Sequence, residues 1–259
     1  MKLEGKTALI TGGNKGIGLA ISERYAREGA TCVILARDDE AGKEAVSSIE
    51  GGGGVAHFVY CDLTDHQSFP GIVQQCVQLT GSVDILVNNA GVFDLRPLHE
   101  ITEENWDFIF NTNVKGLFFM LQAASNQMIN QGRGGKIINV SSQSGRYGEP
   151  LVLVYGAAKA AIIHINQTAA LELIKHGINV NGIAPGVIDT PMWDVVDAQF
   201  SKYKDLPPGS ARKAAEAGVP HGRFGTPEDL AGAAVFLASD DAEYVVAQTL
   251  NVDGGNRMN

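Results

Sequence analysis

Thr7-Ala8-Leu9-Ile10-Thr11-Gly12-Gly13-Asn14-Lys15-Gly16-Ile17-Gly18 decides the fold of this 259-residue chain. Thr7–Thr11 is a short apolar strand, and Leu19, Ala20, Ile21, Tyr25 and Ala26 then follow a helical spacing. A glycine loop between strand and helix turns tightly and lets a ligand approach the backbone. It also leaves the free N–H groups of the helix N-terminus facing an anion. This context assigns Gly12, Asn14, Lys15, Gly16, Ile17 and Gly18 to a pyrophosphate-binding loop of a dinucleotide site, rather than to a plain βα turn. The glycine spacing is G-x-x-x-G-x-G, not the commoner G-x-G-x-x-G.

The next strand, Thr31–Ala36, ends where a doubly wound fold meets the adenosine ribose. An acidic residue there would accept from a ribose 2′-hydroxyl; this chain has Ala36 and then Arg37. A guanidinium suits a 2′-phosphate, and Lys15 adds a second positive charge. The local chemistry therefore points to NADP(H) as the preferred cofactor, with NAD(H) possible, because Asp38 and Asp39 compete for Arg37.

The alternation of strands and helices continues. Residues 51–54 are four glycines forming a flexible link, followed by a third strand, Val55–Tyr60. Asp62 and Leu63 then lie where an adenine edge would be. A helical pattern spans residues 66–79, and residues 84–88 form a fourth strand that ends in Asn88-Asn89-Ala90-Gly91. Residues 103–131 read as one long helix containing Asn111 and Asn113, and an asparagine inside an apolar helix needs a partner. For Asn113 that is either the local backbone or a water in a proton path. A fifth strand at 136–140, a helix at 155–176 and a sixth strand at 179–184 with Pro185-Gly186 follow. Residues 188–226 show no clean periodicity and read as a substrate lid, with Trp193 as its large aromatic. A helix, Pro227–Ala238, and a last strand, Thr249–Val252, close the chain.

These elements imply an α/β fold: one domain over residues 1–259, doubly wound, with a seven-stranded parallel sheet and helices on both faces. Ligands sit past the carboxyl ends of such strands, and every motif named above falls there.

The fifth strand leads into S-S-Q-S-G-R-Y-G-E-P-L-V-L-V-Y-G-A-A-K, residues 141–159. Tyr155 and Lys159 stand four apart on an Ala-rich helix and share a face. A nearby cation favours phenolate, and moving a phenol about three units toward neutrality takes about 4 kcal/mol. Lys159 together with an oxidised nicotinamide would supply it. Ser142 ends the strand, placed to donate to the same substrate oxygen. The arrangement moves a proton on or off an alcohol while its carbon is oxidised. A Tyr-x-x-x-Lys pair arises by chance in roughly one chain in four of this composition, so the pair counts only with the motifs around it.

Twenty basic and twenty-nine acidic residues give a net charge of −9, which disfavours nucleic acid or an anionic membrane as partner. Three cysteines, Cys32, Cys61 and Cys76, form no C-x-x-C, so a reducing compartment is expected. The histidines form no metal-ligand spacing, and no metal is expected. The chain enters its first strand at once and holds no apolar run near eighteen residues. A cytoplasmic protein with no membrane segment is the expectation.

With T-G-G-N-K-G-I-G, N-N-A-G, the serine, Y-x-x-x-K and P-G in this order and spacing, the chain resembles the short-chain dehydrogenase/reductase family over nearly its whole length. The resemblance implies that Tyr155 is the acid/base and that Ser142 orients the substrate oxygen. It implies that Lys159 lowers the Tyr155 pKa and holds the nicotinamide ribose, and that Asn113 supports the proton relay. It further places Asp62 and Val114 at the adenine end, and Asn89, Ala90, Gly91, Pro185, Gly186, Ile188 and Thr190 along the cofactor, with Thr190 at the carboxamide. Ser144 and Trp193 join Ser142 and Tyr155 on the substrate side. From Asn88 onward, including W-D-V-V-D-A-Q-F-S-K-Y in the lid, the segments resemble bacterial polyol dehydrogenases acting on D-sorbitol and related alditols. Such enzymes typically carry Asp where this chain has Ala36, and use NAD. A polyol and its ketose are thus the implied substrates, with a 3-oxoacyl or other carbonyl reductase as the alternative. A homotetramer is the implied assembly; a non-catalytic cofactor sensor is disfavoured by the intact Asn113, Ser142, Tyr155 and Lys159.

Overall fold

In a computed structural model, described for residues 1–258, seven parallel strands form one sheet. They are β1 (Thr7–Thr11), β2 (Thr31–Ala36), β3 (Val55–Tyr60), β4 (Ile85–Asn88), β5 (Gly135–Val140), β6 (Ile178–Pro185) and β7 (Thr249–Val252), in the order β3-β2-β1-β4-β5-β6-β7. The central strands β1, β4 and β6 are buried at every position, as expected for strands covered on both faces.

The period-two alternation of side chains divides the core in two. Ala8 and Ile10 of β1, Cys32 and Ile34 of β2 and Ile138 of β5 face one layer. That layer holds Ile21 and Tyr25 of α1 (Gly16–Arg27), Ile49 of α2 (Asp39–Gly51), and Ala234 and Val235 of α9 (Pro227–Ala238). Leu9, Val33, Leu86 and Ile137 face the other layer. Across from them lie Phe69 of α3 (Phe69–Thr80), Met120 and Ala124 of α5 (Leu117–Gln131), and Ala170 of α6 (Leu153–Leu173). The Tyr25 hydroxyl, fully buried, donates to the Ala234 carbonyl at 2.9 Å and ties α1 to α9. Each large side chain buried in this way contributes about 1.5–3 kcal/mol.

The helix expected over residues 103–131 is two helices, α4 (Glu103–Phe110) and α5, joined by a wide π-type turn at Asn111–Gly116. The apolar pattern runs on through the turn, which is why the sequence reads as one helix. The stretch without visible period, residues 188–226, carries two helices, α7 (Met192–Lys204) and α8 (Ser210–Ala217). α7 buries only Val196, Phe200 and Ser201, and α8 buries nothing fully and sets only alanines apart from its charged face, so neither shows a long stripe of large apolar residues.

Strand order reverses at β1, whose neighbours β2 and β4 lead to opposite edges of the sheet. The crevice that opens at such a switch point is the expected ligand site. Its floor is stitched by Thr11, whose hydroxyl oxygen accepts from the Asn89 and Ala90 N–H groups at 3.0 and 3.1 Å. Asn89 in turn donates to the Thr11 and Gly12 carbonyls at 3.0 and 3.3 Å. Deeper, Asn88 donates to Asn139 at 2.9 Å and Asn139 to Asn166 at 3.1 Å. These buried amide bonds tie β4, β5 and α6 to one another, although Asn88 Oδ1 itself is buried without a hydrogen-bond partner.

Candidate active site

One cleft of about 1320 Å³ runs along the carboxyl ends of the strands. At its centre, α6 begins two residues before Tyr155, so Tyr155 and Lys159 occupy its first two turns. Both side chains are buried. The Lys159 ammonium donates to the Val140 carbonyl at 3.0 Å and lies 5.6 Å from the centre of the Tyr155 ring. The Ser141 hydroxyl donates to the Lys159 carbonyl at 2.8 Å, which clamps the end of β5 onto α6. Ser142 lies next to this clamp. Its hydroxyl oxygen accepts from the Ser144 N–H at 3.1 Å, so its own proton is left to be donated toward the neighbouring Tyr155 phenol oxygen on the cleft wall.

Burial pushes the Tyr155 phenol up to about 12, against the opposing effect of a hydrogen bond from Ser142. Burial also brings the Lys159 ammonium down to about 8. The expectation that Lys159 draws the phenol toward neutrality therefore does not describe the protein alone, in which loss of water dominates both groups. Phe93 packs its ring edge on Tyr155 at 4.9 Å and holds the phenol against the cleft wall.

Asn113 sits in the π-type turn, where its amide bonds the Val92 backbone twice: Oδ1 accepts at 2.8 Å and Nδ2 donates at 2.9 Å. Its partner is thus the loop after β4, not the local backbone of its own turn. A Cβ on Gly91 would come within 3.2 Å of Asn113 Oδ1 and 3.6 Å of Lys159 Nζ. Gly91 therefore lets the loop pass close to both. Val114 stands behind this wall, packed with Ile109, Val154 and Ala158.

At the other end of the cleft, Gly12 and Gly16 adopt φ of +63° and +54°, a region that glycine enters without strain. Lys15 provides no side-chain cap to α1, so the first N–H groups of that helix stay open toward the cleft. Asn14 and Ile17 line the same wall, and Thr190 approaches Gly16 from across it. Gly18 is not on the cleft wall; a Cβ there would overlap the Gly12 carbonyl, so this glycine permits helix and strand to pack. Asp38 accepts from the Ala41 N–H at 3.1 Å and caps α2. The acid nearest Arg37 is instead Asp62, at 3.8 Å, on the neighbouring strand's exit. Burial raises the Asp62 pKa, but hydrogen bonds from the Thr64 N–H and hydroxyl, at 2.9 and 2.8 Å, and the Arg37 charge outweigh it and leave it lowered. Leu63, Ala90, Pro185, Gly186 and Ile188 complete this side.

The segment after β6, with α7 and α8, borders the cleft. Trp193 lines it and sets its ring edge on Phe224 at 4.8 Å. Arg212 of α8 pairs with Asp189 at 2.6 Å. Asp94, in the loop after β4, accepts from Gln199 of α7 at 2.6 Å, Asn105 at 2.5 Å and Arg96 at 3.0 Å.

Residues 6–200 match the family model of short chain dehydrogenases. The chain belongs to the short-chain dehydrogenase family. It is 53% identical to the sorbitol dehydrogenase of Cereibacter sphaeroides and 52% identical to the galactitol 2-dehydrogenase of Agrobacterium fabrum, covering 100% of this chain and of each relative. The crystal structure of an NAD+-bound xylitol dehydrogenase superposes with a TM-score of 0.94, at 33% identity over 98% of this chain and 100% of that one. As a short-chain dehydrogenase this chain is an oxidoreductase acting on CH–OH groups with a nicotinamide dinucleotide.

The residues present fit such a cofactor. The positive-φ glycines and the uncapped α1 N-terminus suit a pyrophosphate, and Gly91 leaves room beside Lys159. Among the described residues no group of three or more His, Cys, Asp or Glu could hold a metal, and no helix is long and apolar enough to cross a membrane. Sequence reasoning did not single out Thr11, Asp94 or the cleft-lining Gln143, Tyr147, Glu149, Asn256 and Arg257. The only signal for the last two is the glycine pair before them, which marks a turn after the final strand.

Proposed function

We propose that this dehydrogenase interconverts a secondary hydroxyl of a polyol, a hexitol such as D-sorbitol, and the corresponding ketose, with NADP(H) preferred over NAD(H). The observation that carries the reading is the convergence of the Tyr155 phenol, the Ser142 hydroxyl and the Lys159 ammonium on one wall of the cleft that also holds the open α1 N-terminus. The likeness to sorbitol and galactitol dehydrogenases over the full chain supports the substrate class.

Gly12, Gly16 and the open α1 N-terminus would hold a nicotinamide dinucleotide, which would supply the hydride acceptor or donor for the CH–OH carbon. Tyr155 takes the hydroxyl proton in oxidation as a phenolate, becoming the phenol, and as the phenol donates that proton in reduction, returning to the phenolate. Ser142, oriented by the Ser144 N–H, donates to the same oxygen. Lys159 places a positive charge over the Tyr155 ring face and opposes the effect of burial on the phenol as charge develops there. Asn113 is a positioning residue that holds the Val92 backbone, and with it the Asn89–Gly91 wall, against the reacting groups. Residues 188–226 act as the substrate lid within a single domain. The exposed Trp106, Phe118 and Leu171 support assembly into a homotetramer through α4, α5 and α6. Three buried thiols without disulfides suit the cytoplasm.

An initial-rate panel of alditols, ketoses and a β-ketoacyl thioester, each with NADP(H) and NAD(H), tests the reading. Alditol and ketose turnover is expected. Turnover of the thioester alone would replace the polyol with the carbonyl-reductase alternative.

A further inference from the structure

A hexitol brings several hydroxyls into the cleft besides the one that reacts, and each loses its water on entry. Left without partners, these groups would oppose binding by about as much as the contacts favour it. Part of the wall beside Tyr155 cannot serve them, because it is built from Phe93, Val152, Val196 and Phe200. Polar groups stand on the opposite side, in the turn after β5 and in the last residues of the chain.

The tail reaches this place by a turn written in the sequence Asp253-Gly254-Gly255-Asn256-Arg257. Gly254 and Gly255 both take positive φ, +64° and +83°, and reverse the chain after β7. The buried Asp253 locks the turn: its carboxylate accepts from the Gly255 N–H at 3.1 Å and the Arg257 N–H at 2.9 Å. The turn also packs against the cofactor-side wall, since a Cβ on Gly186 would lie 2.6 Å from Asp253 Cβ. From this fixed base, Asn256 donates to Gln143 Oε1 at 2.9 Å, directly after Ser142. The Arg257 guanidinium lies 3.6 Å over the Tyr147 ring, and the Tyr147 hydroxyl donates to Glu149 at 3.4 Å.

Two features of this corner exceed what bracing the tail requires. Arg257 makes no ion pair among the described residues; its Nη1 donates to the Asn256 carbonyl at 3.2 Å, and its Nε is buried without a hydrogen-bond partner. The corner also sets a cationic donor and an anionic acceptor on either side of one phenol, all three lining the cleft. A vicinal diol, each hydroxyl of which both donates and accepts, matches that pair.

We propose that Asn256 and Arg257, with Gln143 and Glu149, form the subsite for polyol hydroxyls remote from the oxidised carbon, so that the C-terminal tail sets the preference for long polyols. The assignment rests on the polyol reading of the site.

The test is steady-state kinetics of the full-length enzyme on alditols of six, five and four carbons, with Arg257→Ala, Arg257→Lys and Asn256→Ala, alongside cofactor affinity by fluorescence and melting temperature. Arg257→Ala should lower kcat/KM on the hexitol roughly tenfold to a hundredfold, mostly through KM, with a loss that shrinks as the alditol shortens. Arg257→Lys should recover part of it. Equal losses at every chain length, or no loss on the hexitol, overturn the subsite. A wild-type enzyme that turns over no alditol overturns the polyol reading itself, whereas an active wild type with unaffected variants overturns the tail assignment alone.

Discussion

Lys159 holds its ammonium 5.6 Å from the centre of the Tyr155 ring, over its face, and burial shifts the two groups in opposite directions. The phenol rises to about 12 and the ammonium falls to about 8, so both lean toward their neutral forms. The pair to which we assign the proton transfer is thus held in an environment that opposes its charged state. A site of this kind trades stability for function.

The trade is measurable through Lys159. Its ordinary pKa is 10.5 and its folded one about 8. Below pH 8 both states hold the proton and the folded state bears the full penalty, roughly 3 kcal/mol. Between pH 8 and 10.5 the unfolded chain binds the proton and the folded one does not, so stability rises with pH relative to a variant without the amine. Lys159→Met should therefore unfold later than wild type at pH 7, with the gap closing toward pH 10. Tyr155 works the other way, its contribution being lost only as pH rises from about 10 toward 12, mostly above that window. Urea midpoints of both proteins from pH 7 to 10 give the answer; a gap that ignores pH would mean that packing alone changed.

Tyr155→Phe removes the proton carrier and keeps the ring that packs against Phe93. General acid–base catalysis contributes about a hundredfold to ten-thousandfold, and a loss of that size is expected. Cofactor affinity, followed by nicotinamide fluorescence, should stay within about twofold, well under the tenfold that 1.4 kcal/mol brings. A variant retaining a tenth of the wild-type rate would sink the acid/base assignment.

What the sequence made legible was set by distance along the chain. The strand–loop–helix at 7–27 and the Tyr155–Lys159 spacing are local, and helix geometry converts them directly into position. The Arg37 pairing was not local: its sequence neighbour Asp38 is used as the α2 cap, and the acid that approaches it comes from the β3 exit, placed there by the β2–β3 register. Asn113 likewise reads as an oddity in a helix until the fold brings Val92 to it across 21 residues. The tail at 256–257 lies more than a hundred residues from Gln143, and no period or motif links them. In the proposed lid, α7 and α8 bury too few large residues for a long apolar stripe to show.

At the proposed lid, Trp193 and Asp94 are expected to act differently, one meeting substrate and the other positioning α7. Trp193 lines the cleft while also packing on Phe224, so Trp193→Ala should raise the KM for sorbitol by several-fold, with a smaller effect on cofactor KM. Asp94 does not line the cleft but holds α7 through Gln199 at 2.6 Å. Asp94→Ala should raise the same KM and, unlike Trp193→Ala, increase hydrogen exchange along residues 192–204. Equal exchange in both variants would remove the distinction.

We propose that cofactor choice turns on Ala36, Arg37 and Asp62. Ala36 cannot repel a 2′-phosphate, and Arg37 can meet one with two parallel hydrogen bonds. Arg37 is exposed and only loosely engaged by Asp62 at 3.8 Å, so little must be broken to redirect it. Charge-assisted bonds of about 1.5–3 kcal/mol correspond to roughly tenfold to hundredfold preference for NADP(H), with exposure to solvent favouring the lower end. The preference should shrink as salt is raised, because screening weakens an exposed ion pair. Ala36→Asp with Arg37→Ile should reverse it, the new carboxylate accepting from a free ribose hydroxyl and repelling the phosphate. Asp38→Ala should leave the preference almost unchanged, since that carboxylate serves α2, and should instead lower stability by about 1 kcal/mol through the lost cap. The measurement is kcat/KM for both cofactors at two salt concentrations in each protein. A wild type that prefers NAD(H), or a double variant that keeps the wild-type ratio, would show that Arg37 faces solvent and that selectivity is set elsewhere in the cleft.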